Sequence, residues 1–193
     1  VGLLPLLFHP TALDKPPNVA VVGYGSGVTI GAVTQFPIGH ADVVELEPAV
    51  VEAGDRYFAN VSHLPSHDPR VRVIIGDGRN FMTQSDRPYD VIISDYNLGD
   101  GRDGQQLLEE MRHRGLIGLE TAFLMVTAES VYERVVAAAE LAPDDYLIKP
   151  FNGEILRTRL DAILMKKEAF REVFRHFSRG DLEAAILGCD EIM

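Results

Sequence analysis

Six short apolar runs, each stopping at glycine or a polar side chain, constrain this 193-residue chain more than any other feature. They are Asn18 to Val22, Ala41 to Leu46, Val71 to Ile75, Tyr89 to Ser94, Ala122 to Val126 and Asp145 to Ile148. Helical patterns separate them. Val28 to Thr34 is a short helix stopped before Pro37, and Pro48 opens a helix through Phe58 with proline at a favoured first-turn position. Gly104 to Arg114 sets Leu107, Leu108 and Met111 on one face, and Ser130 to Glu140 does so with Val131, Val135 and Ala139. Apolar strands alternating with helices predict an α/β fold, a parallel sheet covered on both faces, with few topologies left once crossovers are right-handed. The alternation stops after Ile148. Asn152 to about Phe177 reads as one long helix, Ser178-Arg179-Gly180 as a break and Asp181 to Ile192 as a second helix, a hairpin tail rich in charge.

Charge narrows the partners. Up to Asp95 there are 6 basic and 11 acidic residues, and beyond it 12 and 18, so both halves contribute to the net charge of −11. An acidic chain without a basic stripe is not expected to have nucleic acid or an anionic membrane as its main partner. The single cysteine, Cys189, rules out an internal disulfide and fits a reducing, cytoplasmic setting. No apolar run reaches the roughly 18 residues a bilayer span needs. Val1 to Phe8 is apolar but short, broken by Pro5 and without a basic flank, so it is not read as a signal peptide; the missing initiator Met suggests a truncated start. His63 and His67 have helical metal spacing but Pro65 between them, and are expected to be loop residues.

The first strand runs into Gly23-Tyr24-Gly25-Ser26-Gly27 and then a helix, the form of a nucleotide-binding turn. Glu45 follows about 20 positions on at the end of the second strand, where a carboxylate can accept from ribose hydroxyls. Asp77 ends the third strand in Gly-Asp-Gly, placed to accept from an adenine amino group. These features lie in order at successive strand ends.

The stretches Val-Ala-Val-Val-Gly-Tyr-Gly-Ser-Gly, Val-Val-Glu-Leu-Glu-Pro, Ile-Gly-Asp-Gly-Arg-Asn-Phe and Tyr-Asp-Val-Ile-Ile-Ser-Asp resemble the spermidine synthase family of the S-adenosylmethionine-dependent transferase superfamily. Leu3 to Pro10 resembles the segment before that family's first strand. The resemblance covers about residues 1–95. It implies S-adenosylmethionine or its decarboxylated form as ligand, with Gly23, Gly25 and Gly27 against the amino-acid part, Glu45 on the ribose and Asp77 on the adenine. It implies Asp95 as the carboxylate that orients, or takes a proton from, the attacking amine. Ser26 and Leu98 stand where the family usually has acidic residues, and the rest of its catalytic half is absent. Nucleoside binding is therefore the leading expectation here, and aminopropyl transfer the last of the alternatives.

From Tyr89 onward a second resemblance begins. Asp-Tyr-Asn-Leu-Gly-Asp-Gly-Arg-Asp-Gly, Phe-Leu-Met-Val-Thr-Ala and Asp-Asp-Tyr-Leu-Ile-Lys-Pro-Phe resemble the receiver domain of response regulators over about residues 89–165. Three strand ends carry Asp95, Thr127 and Lys149. A carboxylate can take a phosphoryl group by nucleophilic attack, and a hydroxyl and an ammonium can hold the new oxygens. The resemblance implies Asp95 as phospho-acceptor, Thr127 as switch hydroxyl, Lys149 as phosphoryl-binding cation, Tyr146 as switch aromatic, a cis Lys149–Pro150 peptide and a histidine kinase as partner. It implies Mg²⁺ on Asp95 and the Asn97 carbonyl. The receiver's acidic pair is missing from the first strand end. Glu45, the nearest substitute, lies two strands from Asp95, roughly 9.6 Å at about 4.8 Å per strand, too far for easy sharing of one Mg²⁺. Phe170 to Met193 resembles half of a tetratricopeptide pair.

Both families end the Tyr89 to Asp95 strand in aspartate. Splicing them there predicts a three-layer doubly wound sheet of order 3-2-1-4-5-6, with the functional residues at its carboxyl edge. A Lys149–Asp95 pair is expected to keep Asp95 ionised. The expected organisation is a nucleoside-binding half (1–95), a receiver-like half completing the same sheet (96–165) and a helical tail (166–193). A phosphorelay receiver, an aminopropyltransferase and an inactive chimera are the alternatives to a composite with both sites.

Overall fold

The computed structural model describes residues 15–99, 103–128 and 142–192. Its strands are β1 (Asn18–Val22), β2 (His40–Glu45), β3 (Val71–Ile75), β4 (Val91–Asp95), β5 (Ala122–Thr127) and β6 (Asp145–Ile148). The described helices are α1 (Val28–Thr34), α2 (Pro48–Tyr57), α3 (Ala59–Ser62), α4 (Gly78–Gln84), α5 (Gly104–His113), α6 (Gly153–Ala169), α7 (Arg171–Ser178) and α8 (Leu182–Ile192), with a 3₁₀ turn at Pro65–His67. The helix expected over Ser130 to Glu140 lies outside the described residues.

The strands form one six-stranded sheet in the order β3-β2-β1-β4-β5-β6, as expected. Every pairing is parallel. Alternate residues of a strand face opposite sides, so each central strand feeds two cores. Val19, Val21, Val91, Ile93, Leu124 and Val126 face the side covered by α1 and α6. Ala20, Val22, Ile92, Phe123 and Met125 face the side covered by α4 and α5. Burial on both faces explains why these segments read as unbroken apolar runs. His63 and His67 fall where the proline predicts, at the end of α3 and in the 3₁₀ turn. No helix among the described residues is long and apolar enough to cross a membrane.

The tail departs from expectation. The single helix expected from Asn152 to about Phe177 is broken at Phe170, whose φ of −95° and ψ of 6° leave helical geometry. The break redirects the chain so that α7 packs on α8. Val173 and Ala185 are buried, and Phe170 stacks with Phe174 at 6.1 Å between ring centroids. Helical periodicity continues through the break, so the sequence pattern did not reveal it.

Asp42, fully buried on β2, joins several elements. It accepts from Arg72 Nε at 2.8 Å, Arg72 Nη2 at 2.8 Å and Tyr89 Oη at 2.6 Å, and His40 Nε2 lies 2.7 Å away. Burial pushes its carboxyl up, but the hydrogen bonds from Arg72, Tyr89 and His40 outweigh that and hold it below its ordinary value. An acid whose pKa is lower folded than unfolded stabilises the fold above its unfolded pKa, and loses that stabilisation as pH falls through the folded one. Asp42→Asn is therefore expected to weaken unfolding stability by about 2 kcal/mol at neutral pH. Urea unfolding should show this gap between wild type and variant narrowing as pH drops below about 4.

Candidate functional site

Parallel strands all deliver their carboxyl ends to one edge, and at the middle of this edge lies a cavity of about 160 Å³. Gly23, Gly25, Glu45, Asp77, Asp95 and Asn97 line it, so the topology brings together every cofactor residue inferred from the front half except Gly27. Gly23, Gly25 and Gly27 have φ of 99°, 54° and 75°, backbone that side chains with a Cβ rarely adopt. At Gly23 close approach adds to this requirement, since a Cβ there would stand 3.0 Å from Asp95 Oδ2.

Glu45 organises the turn. Its Oε2 accepts from the Tyr24 amide at 3.0 Å and the Gly25 amide at 3.4 Å, and its Oε1 from the Glu47 amide at 3.1 Å. The carboxylate expected to face a ribose is thus also the acceptor for the loop that shapes the cavity. Tyr24 lies buried beneath the turn. Its hydroxyl donates to Asp55, which also accepts from Ser66 Oγ at 2.6 Å. Burial, with Asp55 alongside, pushes the Tyr24 phenol up. Asp77 caps α4, its Oδ1 accepting from the Asn80 amide at 3.0 Å.

On the other side, Lys149 Nζ donates to Asp95 Oδ1 at 2.6 Å. The register carries it there: Asp95 aligns with Val126 on β5, and Thr127 aligns with Ile148 on β6, so Lys149 follows one residue later. The pair forms as expected, and Lys149 favours the ionised carboxylate against burial. Burial pushes the Asp95 carboxyl up, Lys149 pulls it down without overcoming that, and the Glu45 charge adds a further rise. Thr127 is buried at the end of β5, and Tyr146 packs against the core on the α4 and α5 side. Burial pushes the Tyr146 phenol up. The Lys149–Pro150 peptide is cis.

Two cavity residues escaped the sequence reading, Arg79 and Asp103. Arg79 Nε donates to Glu110 Oε2 at 2.5 Å, fixing α4 to α5. Asp103 caps α5 through the Gln106 amide at 2.8 Å and accepts from Tyr96 Oη at 3.1 Å. An aspartate just before an apolar-periodic helix was the available signal. Gly104, next to it, admits the start of α5 against β4, since a Cβ there would come within 2.6 Å of the Asp95 carbonyl oxygen.

A Mg²⁺ ion would have to share these side-chain donors with the partners they already hold. Asp95 Oδ1 is ion-paired, Glu45 and Asp103 are held by backbone amides and a phenol, and the Asn97 side chain accepts from the Gly99 amide at 3.0 Å. Among the described residues no group of three or more His, Cys, Asp or Glu gathers around a metal position. Cys189 lies apart, half-buried in α8.

The spermine/spermidine synthase domain profile matches residues 1–116. A polyamine aminopropyltransferase from Korarchaeum cryptofilum is 35% identical over 91 residues, 46% of this chain and 28% of that protein. The chain thus spans less than a third of that relative's length. A crystal structure of spermidine synthase in complex with the transition-state analogue AdoDATO superposes with a TM-score of 0.42 at 26% identity, over 52% of this chain and 32% of that one. The response regulator DrrB, a Thermotoga maritima OmpR/PhoB homologue, superposes with a TM-score of 0.48 at 20% identity, over 79% of this chain and 54% of that one.

Glu45→Ala would leave the Tyr24, Gly25 and Glu47 amides without their acceptor. Hydrogen exchange should show the Tyr24 amide losing protection about tenfold or more, for a local cost of about 1–3 kcal/mol.

Proposed function

The chain belongs to the spermine/spermidine synthase domain family, and from that membership we propose that its carboxyl-edge cavity takes decarboxylated S-adenosylmethionine or a related thioadenosine, as in a polyamine aminopropyltransferase. The observation that carries this reading is the convergence of the Gly23 and Gly25 turn with Glu45, Asp77 and Asp95 on one cavity. Glu45 and Asp77 keep acceptor capacity beyond the amides they hold, because a carboxylate has about four acceptor sites. They take the ribose hydroxyls and the adenine amino group. Asp95 orients the attacking amine and receives its proton as the new C–N bond forms and the sulfonium C–S bond breaks. Its carboxyl, raised by burial, is better suited to holding that proton than a solvated aspartate. The family match supports this polyamine reading over the composite one, although the sequence ranks aminopropyl transfer last. On this reading residues 1–95 supply the nucleoside half, residues 96–165 complete the sheet and residues 166–193 form a helical appendage.

A second reading has one observation in its favour, the 2.6 Å contact of Lys149 with Asp95. Asp95, Thr127 and Lys149 would then serve as a phospho-acceptor set supplied by a histidine kinase.

Each reading has its own measurement. Calorimetric titration with decarboxylated S-adenosylmethionine is expected to show saturable binding that Glu45→Ala weakens at least about tenfold, the loss of a charge-assisted contact. Unchanged affinity would count against the assignment of Glu45. Incubation with acetyl phosphate tests the second reading: label must appear on the wild type and vanish in Asp95→Asn. Label that persists in the variant would remove Asp95 as acceptor.

A further inference from the structure

The carboxylate on the amine side of the cavity already has a cationic partner. Lys149 reaches from the end of β6 past the end of β5 and donates to Asp95 Oδ1 at 2.6 Å. The other oxygen, Oδ2, lies against the glycine turn, 3.0 Å from where a Gly23 Cβ would stand. Leu98, an apolar residue, forms the neighbouring wall. The other acids lining the cavity also hold the fold, Glu45 through the turn amides, Asp77 through the cap of α4 and Asp103 through the cap of α5, and Glu45 and Asp77 are the two assigned above to the nucleoside. A second ammonium entering this side therefore meets a carboxylate that Lys149 already pairs.

We propose that Lys149 is a specificity-determining residue of this cavity. Its ammonium stands where the ammonium of a diamine or polyamine would sit, so the chain takes a nucleoside unaided, whereas a free amine must compete with Lys149 for Asp95. The meaning of this for the protein rests on the nucleoside reading; the exclusion itself rests on the ion pair. The competition is intramolecular. A group held on a short flexible tether competes at an effective concentration on the order of millimolar. Micromolar amine loses that contest, and the short charge-assisted hydrogen bond tilts it further toward Lys149. The lock is reversible, because the Lys149 side chain keeps 37% of its surface in solvent and can swing into water. The site would thus answer to amine only at high concentration.

The test is calorimetric titration of putrescine into the wild type, Lys149→Met and Lys149→Met/Asp95→Asn, each with and without methylthioadenosine. Methionine keeps an unbranched stem of similar reach and removes the charge. The wild type should show no saturable uptake of putrescine below roughly millimolar. Lys149→Met should bind it at least about tenfold more tightly, and the double variant should lose that gain. Wild-type binding of putrescine in the micromolar range would overturn the proposal. A folded Lys149→Met chain that gains nothing would also overturn it. Should methionine not be tolerated there, ¹⁵N-lysine NMR on the wild type decides. Putrescine at tens of millimolar, well above that effective concentration, must shift the Lys149 ammonium signal toward that of a solvated lysine, and a signal that stays put rejects displacement. The methylthioadenosine arm separates the two readings. Putrescine gain without methylthioadenosine binding refutes the nucleoside site and leaves Lys149 as the excluding residue. Methylthioadenosine binding without putrescine gain does the reverse.

Discussion

The parallel pairing of β1 with β4 holds the rest of this structure together. Val19 aligns with Val91 and Val22 with Ser94, and everything else is added outward from that pair. On one side β2 and β3 bring Glu45 and Asp77 to the carboxyl edge; on the other β5 and β6 bring Thr127 and Lys149. A one-residue slip between β1 and β4 would turn every side chain of one strand to the opposite face. It would also carry Asp95 away from Gly23. The register is fixed because both faces are buried: Ile92 and Ile93 point to opposite cores, and neither has an exposed side to exchange with.

The same burial sets the chemistry of the edge. Asp42 and Asp95 are both carboxylates taken largely out of water, with opposite results. Asp42 has three side-chain hydrogen-bond partners, and together they more than offset the loss of hydration. Asp95 has Lys149 on one side and the Glu45 charge in its vicinity, and there the loss of hydration wins. The first carboxylate is a structural tie between β2, β3 and the approach to β4. The second, held above its ordinary value in a cavity, is the kind of group that marks a reactive site.

Much of this was legible in the chain. The strands fall where apolar, β-branched runs fall, because burial on both faces demands such runs. Gly23, Gly25 and Gly27 could be recognised because positive φ leaves few other residues. Glu45, Asp77, Asp95, Thr127 and Lys149 were legible as strand-end residues, since parallel strands send all their carboxyl ends to one edge. Less visible were the features that depend on what a side chain meets. Glu45 reads as a ligand acceptor, yet its oxygens also hold the turn amides, and only the approach of β2 to the turn creates that bond. The break at Phe170, which lets α7 pack on α8, leaves no mark in the periodicity.

By itself the sequence determined the alternation of strand and helix, the sheet order that follows once the strands share one sheet, and which residues stand at the strand ends. The alternation and the strand ends follow from local pattern; the order follows from the two family resemblances spliced at the strand they share, among the few topologies that right-handed crossovers allow. Only the tertiary structure decided the state of those residues: that Glu45 holds the turn amides, that Gly23 must lack a Cβ because Asp95 Oδ2 lies beside it, and that desolvation outweighs the Lys149 ion pair at Asp95. The reason is range. Pattern is written within a few residues, whereas a carboxylate's charge is set by whatever approaches within a few ångströms, and here that is a lysine fifty-four positions away.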